Sequence, residues 1–305
     1  MKKSYLGTLI ILFSLTTVSL FAEILPIPFT VEVDDTKVQL GKKLFLDPIL
    51  SKDKTLSCVS CHKLLDNGAD NIPYTEGVDG KIGLFNAPTV YNSVYNFRQF
   101  WDGRAKNLKD QALKPISNPV EMGNTIEKAL QDLKSDQVYP RMFNEIFKDG
   151  ITENNLAEVL AEFEKTLITP NSDFDKYLRG DTKALNHSAM KGYKLFKTKG
   201  CISCHNGINI GGNLYNKFGI YKDAESRELG RYNQTKNEED KYVFKVPSLR
   251  HVAITAPYMP DGRVETREDA VNIMTKYQLG RPMNKEDLKL YTELYTVGAL
   301  KSPIF

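Results

Sequence analysis

Apolar residues recur at three- and four-residue spacing in several stretches of this chain, and long runs of strict apolar–polar alternation are absent. Such periodicity marks helices with one buried stripe. It predicts helices over 125–134, 153–167, 188–199, 267–277 and 285–296. Thr152 and Asn284 stand where N-caps belong, although Asn155 follows Thr152 where a capping box would have Glu or Gln. The segments 63–90 and 206–250 are rich in Gly, Asn, Asp and Tyr and read as loops. The predicted fold class is all-α: two helical domains with long loops. Loops of this length are suspect in a compact domain unless something other than side chains fills the core.

One stretch is apolar without periodicity. After Met1-Lys2-Lys3 the chain runs apolar from about Tyr5 to Phe21 and turns polar past Ala22-Glu23. A charged start, a short apolar run and a small residue describe a secretory signal peptide over 1–22, cleaved after Ala22, although Leu20 is larger than the ideal. An uncleaved membrane anchor is the alternative. The run is at the lower limit for a spanning helix and is broken by Ser14, Thr16, Thr17 and Ser19. Either reading sends the folded part across the membrane. Loss of Lys2 and Lys3 lowers the formal charge from +3 to +1, and nothing suggests a basic nucleic-acid surface. The charged run 236–241 reads as a solvated loop.

Two motifs carry the chemistry: Cys58-Val59-Ser60-Cys61-His62 and Cys201-Ile202-Ser203-Cys204-His205. Together they use all four cysteines and two of the four histidines. Cys-x-x-Cys-His is the attachment signature of a c-type haem: two thiols bond the porphyrin vinyl groups and the next residue offers its imidazole to the iron. Zinc is the rival reading, but paired Cys-x-x-Cys motifs of a zinc site lie some 15–20 residues apart, far closer than these. Local disulfides or a thioredoxin-like pair form the other rival, and no βαβ context supports it. The cofactors implied are two covalently bound haem c groups. A weak repeat agrees, since Gly41-Lys42-Lys43-Leu44-Phe45 precedes the first motif and Gly192-Tyr193-Lys194-Leu195-Phe196 the second. An amphipathic helix thus delivers the chain to each haem turn. This predicts two cytochrome c-like domains, each around one haem, over 23–175 and 176–305, with the junction near 170–180.

Between and after the motifs stand Asn86-Ala87-Pro88-Thr89, Phe100-Trp101-Asp102-Gly103-Arg104-Ala105, Gln111-Ala112-Leu113-Lys114-Pro115-Ile116 and Asn118-Pro119-Val120-Glu121-Met122-Gly123. Lys245-Val246-Pro247-Ser248-Leu249-Arg250, Thr255-Ala256-Pro257-Tyr258 and Asp261-Gly262-Arg263 follow. In this order they closely resemble the bacterial di-haem cytochrome c peroxidases, a family that includes the methylamine-dehydrogenase-maturing enzyme. The resemblance spans roughly 35–300. It implies that hydrogen peroxide is split at the haem on His62. It implies too that the haem on His205 relays electrons from a small cytochrome c or copper protein, in the periplasm.

The same resemblance assigns the site. Glu121 is the carboxylate that moves a proton between the peroxide oxygens. Gln111 orients the peroxide or that carboxylate, and Trp101 lies between the haems. Met274, ahead of Gln278-Leu279-Gly280, is the sixth ligand of the relay haem, with Met259 the runner-up and Met283 also a candidate; Met/His ligation raises the potential. The maturation branch has Tyr there, although Tyr277 lies one helical turn away. A calcium ion is implied between the domains, held by the Asn86 side chain and the Thr255 and Pro257 carbonyls, and so is a homodimer.

One departure stands out. Many members carry a second histidine that blocks the peroxidatic iron until the relay haem is reduced, and its position is Val78, which cannot ligate iron. This predicts an iron open in the fully oxidised protein, unless Tyr74 or a lysine takes the place. His187 reads as a surface residue and His251 as a partner for a haem propionate. The alternatives in function are a di-haem electron carrier and a protein-modifying di-haem oxidase.

Overall fold

The structure, a computed structural model, describes residues 23–223, 226 and 228–297; the expected signal segment at 1–22 lies outside them. In the first half α1 (Asp35–Leu46) leads to the one-turn α2 (Cys58–Cys61). After a long loop come α3 (Leu108–Ala112), α4 (Lys114–Ser117), α5 (Ile126–Ser135), α6 (Tyr139–Ile146) and α7 (Glu153–Lys165). Then follow α8 (Asp173–Leu178), α9 (His187–Thr198), α10 (Tyr232–Thr235), α11 (Arg267–Gln278) and α12 (Lys285–Val297). The helices expected from periodicity are α5, α7, α9, α11 and α12, and both expected caps form. Thr152 Oγ1 accepts from the Asn155 N–H at 3.2 Å, and Asn284 Oδ1 from the Asp287 N–H at 2.8 Å.

Two short features depart from the pattern. Inside the expected loop 206–250, β1 (Tyr215–Lys217) pairs antiparallel with β2 (Val243–Lys245), Tyr215 opposite Lys245. Three-residue strands are too short to show alternation. Helix α6 opens on Tyr139-Pro140, which reads as a break, yet proline is tolerated in a first helical turn. Its stripe, Tyr139 and Phe143, is fully buried.

The repeated Gly-x-Lys-Leu-Phe segment has a packing reason. A Cβ on Gly41 would sit 1.9 Å from Val159 O, so α1 crosses α7 backbone to backbone. A Cβ on Gly192 would sit 2.1 Å from Leu290 O, so α9 crosses α12 in the same way. Phe45 and Phe196, four residues on, are each 1% exposed and anchor two cores. The first core joins Leu40, Leu44, Leu156, Val159, Leu160 and Phe163; the second joins Phe174, Ala189, Val271, Tyr291 and Leu294.

The two halves are tied by buried polar groups. Ile24 packs in the second core, and the Ile27 N–H donates to Asp175 Oδ1 at 3.0 Å. Arg250 Nη1 meets the same oxygen at 2.8 Å and its Nη2 donates to Leu25 O at 3.0 Å. Nearby, Asn92 Nδ2 donates to Thr169 Oγ1 at 2.8 Å, and His251 Nε2 lies 2.7 Å from that hydroxyl.

Candidate functional site

Each Cys-x-x-Cys-His motif folds as one tight turn. The His62 N–H closes the first on Cys58 O at 2.9 Å, and the His205 N–H closes the second on Cys201 O at 2.9 Å. All four cysteines are free and half-buried, so neither pair is a disulfide. Among the described residues no three His, Cys, Asp or Glu side chains gather as a metal cluster. Burial pushes the Cys61 thiol up to about 12 and Cys58 higher still.

The imidazoles are oriented by carbonyls. His62 Nδ1 lies 3.1 Å from Gly68 O, and His205 Nδ1 lies 3.3 Å from Ile210 O. A ring held through Nδ1 presents Nε2 as the lone-pair donor, the arrangement found in metal-ligating histidines. Burial lowers both pKa values, that of His205 to about 4, so both rings are neutral near pH 7.

His62, Cys58 and Cys61 open on a cavity of about 330 Å³. Glu121, Gln111 and Trp101 line the same cavity. Glu121 Oε1 accepts from Asn118 Nδ2 at 2.6 Å. Burial raises the pKa of this carboxyl, against the lowering effects of the Asn118 bond and of the Arg104 charge. His205 and Cys204 open on a second cavity with lobes of about 260 and 220 Å³. Met274 lines both lobes, Met259 only the larger, and Met283 packs against the second core instead. Gln278 explains the Gln-Leu-Gly turn: its side chain accepts from the Gly219 N–H and donates to Lys217 O, fastening the loop over this cavity to α11.

Trp101 lines both cavities. Its indole N–H donates to Asn86 O at 3.0 Å, and its carbonyl accepts from the Lys245 N–H at 2.9 Å. The segment from Asn86 to Trp101 is therefore a shared wall stitched to the second half, with Asn86 N–H also on Pro260 O at 2.9 Å. Asn86, Thr255 and Pro257 all line the larger lobe of the second cavity. The donor set fits a haem in each cavity: two thiols and a neutral imidazole on one turn, between mostly apolar walls. Ser93 Oγ adds a sign of a missing partner, since it is buried without a hydrogen bond to any described residue and its residue lines both cavities.

Val78 is buried with its side chain towards Gly123, and its N–H donates to Glu121 O at 2.8 Å. From the segment around it Thr75, Gly77, Gly83, Leu84 and Phe85 line the first cavity, and Tyr74 does not. Tyr277 stacks on Phe218 with ring centroids 5.2 Å apart and lines neither cavity. His187 is exposed. His251 lines neither cavity, bonds Thr169, and keeps Nδ1 buried without a partner among the described residues.

Three lining residues escaped the sequence reading. Arg104 stacks its guanidinium 3.5 Å from the Phe100 ring centroid and bonds Asp102 at 3.0 Å. Glu164 is 7% exposed, with burial pushing its carboxyl up to about 8. Its signal was available, because it falls four residues after Leu160 in an otherwise apolar stripe. Lys245 is equally buried, between Phe244 and Val246.

Comparison with known proteins agrees with this geometry. The family model described as di-haem cytochrome c peroxidase matches residues 35–183, and that of cytochrome c matches 189–279. Cytochrome c551 peroxidase of Nitrosomonas europaea is 47% identical over 253 residues, covering 82% of this chain and 76% of that protein. Cytochrome c peroxidase Ccp of Escherichia coli is 45% identical over 91% of this chain, which spans only 61% of that longer protein. Among solved structures, a MauG-like protein associated with microbial copper homeostasis superposes with a TM-score of 0.79 at 22% identity, over 95% of this chain and 97% of the other. The diheme peroxidase BthA from Burkholderia thailandensis does so at 0.75 and 19%, over 90% and 88%. At these identities the likeness concerns the fold alone.

Proposed function

The chain belongs to the di-haem cytochrome c peroxidase family, and on that premise we propose that it reduces hydrogen peroxide to two waters, using two protons and two electrons from a small cytochrome c or copper protein. The observation that carries this is the half-buried Glu121 in the cavity of His62, with Gln111 lining the same cavity. Bound haem supplies the iron at which the O–O bond is cleaved and the path for electrons. Glu121 accepts a proton from one peroxide oxygen and returns it to the other as it leaves. Asn118 fixes the carboxylate, and the Gln111 amide orients the peroxide. Trp101, in the wall between the cavities, assists electron passage.

Cys58, Cys61 and His62 hold the peroxidatic haem in the unit 23–175; Cys201, Cys204, His205 and Met274 hold the relay haem in the unit 176–305. Calcium binds at Asn86, Thr255 and Pro257, supported by their shared place beside the interface wall. The chain works in the periplasm as a homodimer. A di-haem carrier without peroxide chemistry has no use for Glu121 in this cavity. Met274, where the maturation branch has Tyr, speaks against a protein-modifying oxidase.

The segment 75–85 brings no imidazole, amine or thioether to the first cavity, which supports turnover without reductive activation. The test is peroxide turnover by haem-loaded, fully oxidised protein mixed with reduced small cytochrome c, against a half-reduced sample. Full rate from the first turnover is expected in both. A lag that pre-reduction removes would mean a gated site, and no turnover in either would remove the peroxidase reading.

A further inference from the structure

The cavity of His205 contains a buried cation with no balancing group among the described residues. Lys245 ends β2, its N–H fixed on Trp101 O, and it is 7% exposed. Its side chain has no hydrogen bond or ion pair to any described residue. The other charged groups lining its larger lobe are matched: Arg250 with Asp175 at 2.8 Å, and Asp261 with Arg263 at 3.5 Å. Burial alone lowers the Lys245 pKa to about 8, which leaves the ammonium mostly charged at neutral pH. An unpaired buried charge is strongly unfavourable, so such a group persists where a partner arrives from outside the chain.

A haem fastened through its vinyl groups carries two carboxylates on its opposite edge. We propose that Lys245 is the cation that binds a carboxylate of the relay haem beside Trp101, and that it helps to set the potential of that haem. Ser93 Oγ, orphaned in the same wall, is a second donor for such a carboxylate. The ammonium favours the reduced, less positive haem, and its removal favours the oxidised form. This rests on the second haem being bound and not on the peroxide reaction, so haem content per chain separates the two failures.

The test is spectroscopic redox titration of holoprotein carrying Lys245→Gln, with the peroxidatic haem as internal reference. With two haems per chain, the ratio of reduced to oxidised relay haem at fixed potential should fall about tenfold, or 59 mV for one electron. Lys245→Arg, which keeps the charge, should restore most of it. An unchanged ratio in fully loaded Lys245→Gln overturns the proposal. If that variant fails to accumulate, a crystal structure of the wild-type holoprotein decides. Lys245 Nζ within ion-pair distance of a haem carboxylate supports the proposal, and Nζ paired elsewhere refutes it.

Discussion

On the proposed mechanism Glu121 must be ionised to take a proton from peroxide, and its surroundings pull that carboxyl both ways. Burial disfavours the charge, while the Asn118 bond and the Arg104 guanidinium favour it. With burial dominant, the peroxidase rate should fall on the acid side at a higher pH than an exposed glutamate would give. Asn118→Ala removes a stabilising bond to the carboxylate and should move that fall-off to still higher pH, with the plateau less affected. Glu121→Gln should lower the plateau itself by about 10²–10⁴-fold. A pH–rate profile of the three proteins checks both, and an Asn118→Ala profile superposing on wild type would remove Asn118 from this role. At this scale the motifs pointed to Glu121, Gln111 and Trp101, and all three line one cavity. Arg104 lay inside a motif without a role, because its meaning depends on Phe100, Asp102 and Glu121 meeting in space.

Helix crossings explain why the repeat is legible at all. Gly41 and Gly192 are where α1 meets α7 and α9 meets α12, with no room for a side chain against Val159 O or Leu290 O. Alanine suits a helix better than glycine, so substitution in an isolated helix would be stabilising. Here the clash prevails, and Gly41→Ala or Gly192→Ala should each destabilise the fold by about 1–3 kcal/mol. Thermal unfolding of the haem-loaded proteins reads this, and an unchanged midpoint would mean the crossing can open at no cost. Long periodic helices with side-chain caps were readable because stripe and cap are both local. The ribbon of β1 and β2 was not, since its register depends on Trp101, Leu214 and Gly230 bonding to residues far along the chain.

The joining of the halves depends on contacts that no local pattern records: Thr169, bonded by Asn92 77 residues earlier, meets His251 of the second half 82 residues later. Burial first, and the Arg250 charge second, hold the His251 pKa at about 4, well below the usual 6.5. A histidine depressed in the fold takes up protons more readily when unfolded, so its contribution is complete above pH 6.5 and is lost as pH falls towards 4. That loss amounts to about 3 kcal/mol at its limit. His251→Gln should flatten the difference in urea midpoint between pH 7.5 and pH 5, and equal acid sensitivity in both proteins would locate the effect elsewhere. Asp175 tests the junction more directly. It receives Ile27 and Arg250 together, so Asp175→Asn keeps the shape but leaves the Arg250 charge buried and unmatched. Breaking such a pair costs about 3–5 kcal/mol. The shared wall carrying Trp101 is held from the second half by Lys245 and Pro260, close in sequence to Arg250. A loosened junction should therefore slow electron passage from the relay site to the peroxidatic site while each haem keeps its own spectrum. Stopped-flow mixing of half-reduced Asp175→Asn with peroxide measures that passage. A wild-type rate in a protein of lowered melting temperature would show that the junction stabilises the molecule without aligning its two sites.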